Sequence, residues 1–357
     1  MSHIDDDWPS EGLKPVANCP ICGSVVRATL HESLVDHTFE TAPGKWRMQL
    51  CGACGCCYLD PRPTDDTIYL AYANYNTHAP RRISDVGTLA RFRRTVAESY
   101  ANARYGMSFA CAPRGRHAVA WLFPRLRRHL DVTYTRSLPA PAPDARRLLD
   151  VGCGNGEFLQ CATALGWDAE GIDPDPDAIA AALAAGCRAK QVAIDDPSLE
   201  AASYHHITLS HVLEHVPEPV GQLARCYELL APGGRIWLET PNVNSLGHRV
   251  FRGAWRGLEP PRHLVLFNRE SLRSALLKAG FQRVQFTSHP AVSLFIWEES
   301  LRILSRIETA PADTLGRRLM RSIAGAVLAD YWSILRPTSS EFLTCIAFRP
   351  SGDMVRR

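Results

Sequence analysis

Apolar and polar positions alternate in a regular way along the second half of the chain. A short apolar run, "RRLLDV", precedes a glycine-rich turn and the stretch "EFLQCATALG", which ends at Gly166. A second run, "WDAEGID", ends at Asp173 and precedes "PDPDAIAAALAAG", which has Asp and Pro near its start and glycine at its end. Short apolar runs between turn residues indicate strands, and longer stretches with these boundary residues indicate helices. The pattern predicts a β-α-β unit.

Ahead of this unit the pattern is less regular. Residues 58–75 pass through two prolines and are predicted to turn helical from about Thr64, an N-cap residue type. Tyr69, Tyr72 and Tyr75 recur every three residues and share one helical face, which either packs on the next domain or covers a ligand.

Residues 81–136 carry twelve arginines, with Trp121, Leu122 and Phe123 among them. They either hold an anionic substrate or form a solvated helical face. "SLPAPAPDAR" (137–146) is a Pro/Ala linker. We therefore expect three units, residues 1–63, 64–145 and 146–357, with an apolar helical insertion at 291–340.

Composition narrows the class of protein. The chain has 357 residues, 46% of them hydrophobic and 22% charged, as in a globular protein of about two domains. Its net charge of +3 is too small to indicate nucleic-acid binding by the chain as a whole. No run of 18 apolar residues is present, and the N-terminus is acidic and polar. We expect a cytoplasmic protein with no membrane span.

The front of the chain contains two C-x-x-C turns, "CPICG" (19–23) and "CGACG" (51–55). They supply Cys19, Cys22, Cys51 and Cys54, a four-thiolate set typical of a structural Zn²⁺ ribbon with no open position for chemistry. A disulfide pair or a redox C-x-x-C are the alternatives. Cys56 and Cys57 follow at once, and either could replace Cys54 as the ligand.

The glycine turn has the spacing G-x-G-x-G, at Gly152, Gly154 and Gly156. A strand, a glycine turn and a helix let the backbone approach a ligand at the helix N-terminus. Asp173 lies 21 residues after Gly152, where a carboxylate can accept hydrogen bonds from ribose hydroxyls. The unit is predicted to bind an adenosine-containing ligand. A nicotinamide-binding domain has different spacing, and a purely structural turn is the other alternative.

"LLDVGCGNGEFL" (148–159) resembles motif I of the class-I S-adenosylmethionine-dependent methyltransferases. In order along the chain, "HITLSHVLEHVPEP", "LLAPGGRIWLETPN", "PPRHLVLFNRESLRSALLKAGF" and "SEFLTCIAFRP" are similar to later segments of that family. The resemblance covers about 146–350, and the ribbon matches a branch with a four-cysteine module. It implies a Rossmann-like α/β fold with a seven-stranded sheet whose seventh strand is antiparallel.

The same resemblance implies a set of cofactor contacts. The glycines admit the methionyl part, Asp173 binds the ribose, and Asp195 or Asp196 lies near the adenine amine. Asp150 orders backbone amides or meets the cofactor's ammonium. In full, the implied cofactor-binding residues are Asp150, Gly152, Cys153, Gly154, Asn155, Gly156, Asp173, Asp195, Asp196 and Ser210.

Candidate catalytic residues lie in "SHVLEHV", where His211, Glu214 and His215 have i, i+3, i+4 spacing, and at His263. They either brace the loop or act as a base on an acceptor hydroxyl. Some related O-methyltransferases, of ubiquinone precursors and of small-RNA ends, resemble this pattern with E-x-x-E-H plus a distant His binding a divalent ion. Here the pattern is H-x-x-E-H, which would shift the preference from Mg²⁺ toward Zn²⁺-like ions.

The turn sequence after the predicted fourth strand indicates which class of acceptor is methylated. An N/D-P-P-Y-type turn, common in enzymes that methylate exocyclic amines or amides, is replaced by "SHVLEH". The resemblance therefore favours a hydroxyl or sugar carbon of a small molecule or glycan precursor. A ribosomal-RNA methyltransferase with a zinc ribbon and a non-catalytic scaffold are the alternatives. The insertion at 291–340 either lines the acceptor pocket or packs a homodimer.

Overall fold

The computed structural model describes residues 7–72, 88–107, 113, 115–287, 289, 292–307 and 312–351, without the side chains of 88–90 and 312–322. Its strands are β1 (Leu13–Lys14), β2 (Arg27–Leu34), β3 (Trp46–Cys51), β4 (Cys57–Leu59), β5 (Arg62–Pro63), β6 (Arg147–Val151), β7 (Asp168–Ile172), β8 (Ala189–Lys190), β9 (Tyr204–Ser210), β10 (Leu230–Pro241), β11 (Val265–Leu266), β12 (Gln282–Thr287) and β13 (Phe342–Phe348). Its α-helices are α1 (Thr88–Tyr105), α2 (His117–Leu122), α3 (Pro124–Thr135), α4 (Glu157–Ala164), α5 (Pro176–Ala184), α6 (Pro219–Leu229), α7 (Leu246–Phe251), α8 (Arg269–Lys278), α9 (Ser293–Ile307) and α10 (Ala312–Leu335).

A seven-stranded sheet lies at the centre of the second half of the chain. Its strand order is β12-β13-β10-β9-β6-β7-β8. Neighbouring strands from β10 to β8 are parallel, whereas β13 is antiparallel to both β10 and β12. The expected Rossmann-like α/β fold, with its antiparallel seventh strand, is confirmed. The carboxyl ends of the parallel strands meet along one edge, where open α/β sheets bind ligands.

Local sequence explains the elements beside this edge. β6 is almost wholly buried, as a strand inside a parallel sheet must be, and Leu148, Leu149 and Val151 supply its apolar side chains. α5 begins at Pro176, and the Asp175 side chain accepts a hydrogen bond from the backbone N–H of Asp177. An N-cap aspartate followed by proline at the first position favours a helix start. α8 begins with a capping box between Asn268 and Ser271.

The cysteine-bearing ribbon shares a sheet with the second half of the chain. β2, β3 and β4 are antiparallel neighbours, and β11 completes a four-stranded sheet in the order β11-β4-β3-β2. Val265 and Leu266 of β11 pair with Tyr58 and Cys57 of β4. The ribbon is therefore fixed to the α/β part through backbone hydrogen bonds. The boundaries proposed at residues 63 and 145 stay a prediction.

The segment after the ribbon is less helical than its pattern predicts. In place of a helix from Thr64, the structure has a short 3-10 helix over Ile68–Tyr72. The Thr67 hydroxyl donates to the carbonyl of Gly12 at 2.9 Å, and such side-chain bonds compete with regular helix. Tyr75 lies outside the described residues.

Helices occupy the predicted helical regions. α1, α2 and α3 precede the sheet in the arginine-rich segment, and α9 and α10 fill the insertion between β12 and β13. In the part of the chain that the structure describes, no helix is both long enough and apolar enough to cross a membrane.

A buried ion network joins the ribbon to the loop that carries His263. The guanidinium of Arg262, which is fully buried, donates to Asp36 at 2.5 Å and to Glu259 at 3.1 Å. It also donates to the carbonyl of Ala71 at 2.6 Å. Asp36 is equally buried and accepts three backbone N–H groups of its own loop. Because both charges are removed from water, each depends on the other.

Replacing Asp36 with alanine is expected to lower the free energy of unfolding by about 3–5 kcal/mol, since Arg262 would lose a buried counter-ion. Urea unfolding of the full chain measures this change. Glu32→Ala, at an exposed position of β2, is the matched control and should stay within about 0.5 kcal/mol of wild type. Equal stabilities for the two variants would contradict the role given to the network.

Candidate active site

Three glycines in the left-handed region shape the turn between β6 and α4. Gly152, Gly154 and Gly156 have φ angles of 71°, 54° and 80°, which other residues rarely adopt. A Cβ on Gly152 would lie 2.4 Å from Cγ2 of Val212, and one on Gly156 would lie 2.8 Å from Sγ of Cys187. The fold itself therefore excludes side chains at these two positions, whatever ligand lies at this edge.

Asp173 follows β7 directly and is held against the glycine turn. Its Oδ2 accepts the backbone N–H of Gly154 at 3.0 Å, and its Oδ1 accepts that of Asp175 at 3.0 Å. The side chain is largely buried, and each oxygen retains a further acceptor position. The turn and the carboxylate predicted from sequence are thus adjacent, an arrangement that fits a ribose.

Asp150 ends up in an ion pair that sequence reasoning missed. It is fully buried, and its Oδ1 accepts the Thr208 hydroxyl at 2.7 Å and the guanidinium of Arg136. Its Oδ2 is buried and has no hydrogen-bond partner among the residues that the structure describes. Burial raises the pKa of Asp150, while Arg136 and Thr208 oppose that rise. A buried, orphaned carboxylate oxygen fits the predicted contact with an ammonium group, because it needs a donor.

Other predicted cofactor residues surround the turn in different ways. Cys153 is buried, and a Cβ on Gly171 would lie 2.5 Å from the Cβ of Cys153, so Cys153 packs beneath the turn. Asn155 is exposed, and its Oδ1 accepts the backbone N–H of Glu157 at 3.2 Å. Ser210 ends β9 and is half-buried.

The two aspartates considered for adenine differ in their hydrogen bonds. Oδ1 of Asp196 accepts the backbone N–H of Ser198 at 2.8 Å and so closes a local turn. Asp195 is exposed, and its carboxylate has no hydrogen bond within the described residues. Asp195 is therefore the better acceptor for an exocyclic amine.

Three of the four predicted catalytic residues converge. Glu214, His215 and His263 each place one ligand atom within 4.8 Å of the others. Nδ1 of His215 lies 3.1 Å from the carbonyl of Arg262, and Nδ1 of His263 lies 2.8 Å from that of Gly257. The Nδ1–H tautomer, in which each ring donates to its carbonyl, leaves both Nε2 atoms with a lone pair. Burial lowers the pKa of His263 to about 4, so this ring is neutral.

Tyr72 reaches this cluster from the segment after the ribbon. Its hydroxyl lies 3.0 Å from Nδ1 of His215, on the same atom that faces the Arg262 carbonyl. In the sequence, Tyr72 belongs to an aromatic stripe predicted either to pack on the next domain or to cover a ligand. The structure gives it a specific contact: the hydroxyl helps to fix the orientation of the imidazole, as outer hydrogen bonds do for ligand histidines.

His211 contacts Glu214 but is not one of the three converging residues, and it is a cation. Although 39% of its side chain is exposed, its Nδ1 lies 3.2 Å from Glu214 and its Nε2 3.7 Å from Glu239. Burial opposes protonation, but the two carboxylates outweigh it and raise the pKa of His211 to about 10. Glu239 also accepts hydrogen bonds from His289 at 2.7 Å and Thr344 at 2.6 Å. His211 is therefore protonated at neutral pH and acts as counter-ion to Glu214.

The ribbon thiols also converge as the spacing predicts. The Sγ atoms of Cys19 and Cys54 are 3.6 Å apart, and those of Cys22 and Cys51 are 3.5 Å apart. All four Sγ atoms lie within 4.8 Å of one another, close enough to surround one Zn²⁺ in tetrahedral geometry.

A fifth thiol lies beside this set. Sγ of Cys56 is 3.3 Å from Sγ of Cys19 and is fully buried, whereas Cys57 lies in β4. We expect Cys54→Ser to contain about one zinc equivalent less than wild type and Cys56→Ser to match wild type, since Cys54 completes the mutually close set. Elemental analysis of the two purified variants measures this difference. Zinc loss from Cys56→Ser alone would instead make Cys56 the fourth ligand.

Comparisons with known proteins agree with this geometry. A family model described as a methyltransferase domain matches residues 120–285. A ubiquinone biosynthesis O-methyltransferase of Burkholderia vietnamiensis is 35% identical over 106 residues, 28% of this chain and 46% of that protein. The protein of the same name from Xanthomonas axonopodis pv. citri is 35% identical over 107 residues, 28% of this chain and 45% of that one. The chain spans about half the length of the curated relatives it matches.

Solved structures with similarity include a SAM-dependent methyltransferase from Archaeoglobus fulgidus, at 22% identity over 66% of this chain and 95% of that one, with a TM-score of 0.40. A phosphoethanolamine N-methyltransferase 2 from Haemonchus contortus has 16% identity over 83% of this chain and 63% of its own, with a TM-score of 0.43. Residues 120–285 match a methyltransferase domain, and the sheet has the antiparallel seventh strand that the resemblance to class-I S-adenosylmethionine-dependent methyltransferases implies.

Proposed function

We propose that the chain transfers a methyl group from S-adenosylmethionine to a hydroxyl, or a sugar carbon, of a small molecule or glycan precursor. The observation that carries the proposal is Asp173, which is pinned by the N–H of Gly154 at the carboxyl edge of the sheet. The curated relatives named above are O-methyltransferases by name, which supports an oxygen acceptor.

The residues around the glycine turn suit the parts of the cofactor. Asp173 would accept the ribose hydroxyls, and Asp195 the adenine amine. Oδ2 of Asp150, which is buried and accepts no hydrogen bond from the described part of the chain, would meet the ammonium. Arg136 lies against Asp150 and the Phe158 ring, where it would attract the carboxylate of the methionyl part. The bound cofactor supplies a methyl group on a sulfonium.

Acceptor activation is assigned to the cluster next to this turn. Two Nε2 lone pairs and the Glu214 carboxylate form a donor set that suits Zn²⁺ or a similar divalent ion better than Mg²⁺. An ion held there would lower the pKa of an acceptor hydroxyl. Glu214 is stabilised as a carboxylate: burial would raise its pKa, but the hydrogen bond from His211 and the nearby imidazoles keep the pKa below its ordinary value. Without an ion at the cluster, the Nε2 lone pair of the neutral His263 would instead be the group that accepts the hydroxyl proton.

The proposal is tested by incubating the full chain and S-adenosylmethionine carrying a labelled methyl group with an extract of the source cells. The label should enter the small-molecule or glycan fraction and should not do so with Asp173→Ala. Label found only in ribosomal RNA would favour the RNA alternative. No transfer to any fraction, with cofactor still bound, would favour the scaffold. A homodimer and a cytoplasmic location stay predictions.

A further inference from the structure

A group of large apolar side chains is exposed where α2 meets α3. Trp121, Leu122 and Phe123 follow one another there, and all three are exposed. Leu122 is 76% exposed and Phe123 is 59% exposed. Single exposed apolar residues are ordinary, but a contiguous group marks an interaction surface. We call residues 121–123 the apolar tip.

The carboxyl-terminal part of α10 extends this surface. The guanidinium carbon of Arg125, on α3, lies 4.1 Å from the centre of the Tyr331 ring on α10, so the two helices are neighbours. α10 exposes further large apolar side chains over three successive turns, namely Val327, Leu328, Tyr331, Trp332, Ile334 and Leu335. The apolar tip is therefore one end of a broader apolar surface.

The helices that carry the apolar tip are strongly basic. Residues 88–135 contain nine arginines and two acidic residues, in a chain whose net charge is only +3. Both acids are used internally: Glu98 accepts from Arg94 at 2.6 Å, and Asp131 accepts from Tyr100 at 2.7 Å. The arginine charge is therefore largely uncompensated within these helices, and it favours an anionic partner.

Arginines also flank the tip itself. The guanidinium carbons of Arg104 and Arg127 lie 5.6 Å and 5.2 Å from the centre of the Trp121 ring. Long cationic side chains beside exposed Trp, Leu and Phe are typical of surfaces that insert among lipid headgroups, because the guanidinium reaches phosphate while the apolar groups enter the acyl boundary.

We propose that the apolar tip and the adjoining face of α10 dock on an anionic lipid bilayer. A second copy of the chain fits less well, because a two-fold interface would set the same arginines against one another. Single-stranded RNA also fits less well: bases stack on aromatic rings, whereas the most exposed side chains of this surface are Leu122, Leu328 and Leu335. The docking is independent of the proposed methyl transfer.

Sedimentation of the full chain with vesicles tests the proposal. We expect binding to vesicles of phosphatidylcholine mixed with phosphatidylglycerol, weakening as salt is raised, and little binding to phosphatidylcholine alone. The double variant Leu122→Gln, Phe123→Gln should bind at least about tenfold more weakly. Leu277→Gln, at a 51% exposed position on α8, is the matched control and should bind like wild type.

Several results would overturn the proposal. The proposal is wrong if the wild-type chain does not bind phosphatidylglycerol vesicles at low salt. It is also wrong if the double variant binds these vesicles as strongly as the wild type does. Binding to polyuridylate but not to vesicles would assign the surface to RNA. If the wild-type chain and Leu277→Gln form a concentration-dependent dimer and the double variant does not, the apolar surface is a self-association surface. Thermal unfolding of each variant establishes that it is folded, and no methyl transfer is needed for any readout.

Discussion

Replacing Asp173 with alanine is expected to weaken binding of S-adenosylmethionine by at least about a hundredfold. Two hydrogen bonds from ribose hydroxyls to a carboxylate are lost, each worth about 1.5–3 kcal/mol. The backbone N–H groups of Gly154 and Asp175 also lose their acceptor, which loosens the turn. Isothermal titration calorimetry with the cofactor measures the change in Kd.

The matched control for Asp173 is Asp177→Ala. Asp177 lies four residues further along, in the first turn of α5, and its side chain is exposed. This variant should bind the cofactor within about twofold of wild type, since surface changes away from the ligand have small effects. If both variants bind with the wild-type Kd, the ribose contact assigned to Asp173 is wrong.

Replacing Glu214 with glutamine is expected to remove one divalent metal equivalent and to slow methyl transfer by about 10²–10⁴-fold. A glutamine amide carries no negative charge, and the two neutral histidines do not replace the carboxylate charge that would attract the metal ion. Cofactor affinity should change little, because the contacts proposed for the cofactor lie at the glycine turn and at Asp173. Elemental analysis, calorimetry and the rate of label transfer measure the three effects separately.

Glu218→Gln is the control for Glu214→Gln. Glu218 follows the same loop but its side chain is 74% exposed and lies 3.5 Å from Arg62, so its metal content and activity should match wild type. A wild-type chain that holds only the ribbon zinc would contradict the second metal site. Unchanged activity in Glu214→Gln would contradict the whole assignment of acceptor activation to this cluster.

Local patterns were enough to predict the glycine turn, its two flanking strands and the ribbon thiols. Gly154 and Asp173 lie in one β-α-β unit, and the helix, strand and turn between them are each predicted by local sequence patterns. Their proximity in space therefore follows from a short stretch of sequence. The C-x-x-C turns likewise fix their paired thiols locally. In the glycine turn and in the C-x-x-C turns, the residues that form the structural contact are the same residues that form the recognisable sequence motif.

Contacts between distant segments could not be predicted in this way. Tyr72 and His215 are 143 residues apart, and they meet where the ribbon part packs on the α/β part, which share the sheet that contains β11. Arg136 reaches Asp150 from the end of α3. The cationic state of His211 depends on Glu239 in the neighbouring strand, so spacing alone grouped His211 with Glu214 and His215 as residues that either brace the loop or act as a base.

The central claim is that the glycine turn and Asp173 together hold the nucleoside of S-adenosylmethionine. A crystal structure of the chain grown with S-adenosylhomocysteine tests it most directly. The account predicts density for the ribose on the Asp173 carboxylate, with the amino-acid end beside Asp150. An empty turn at saturating ligand, or a ligand bound away from Asp173, would contradict it.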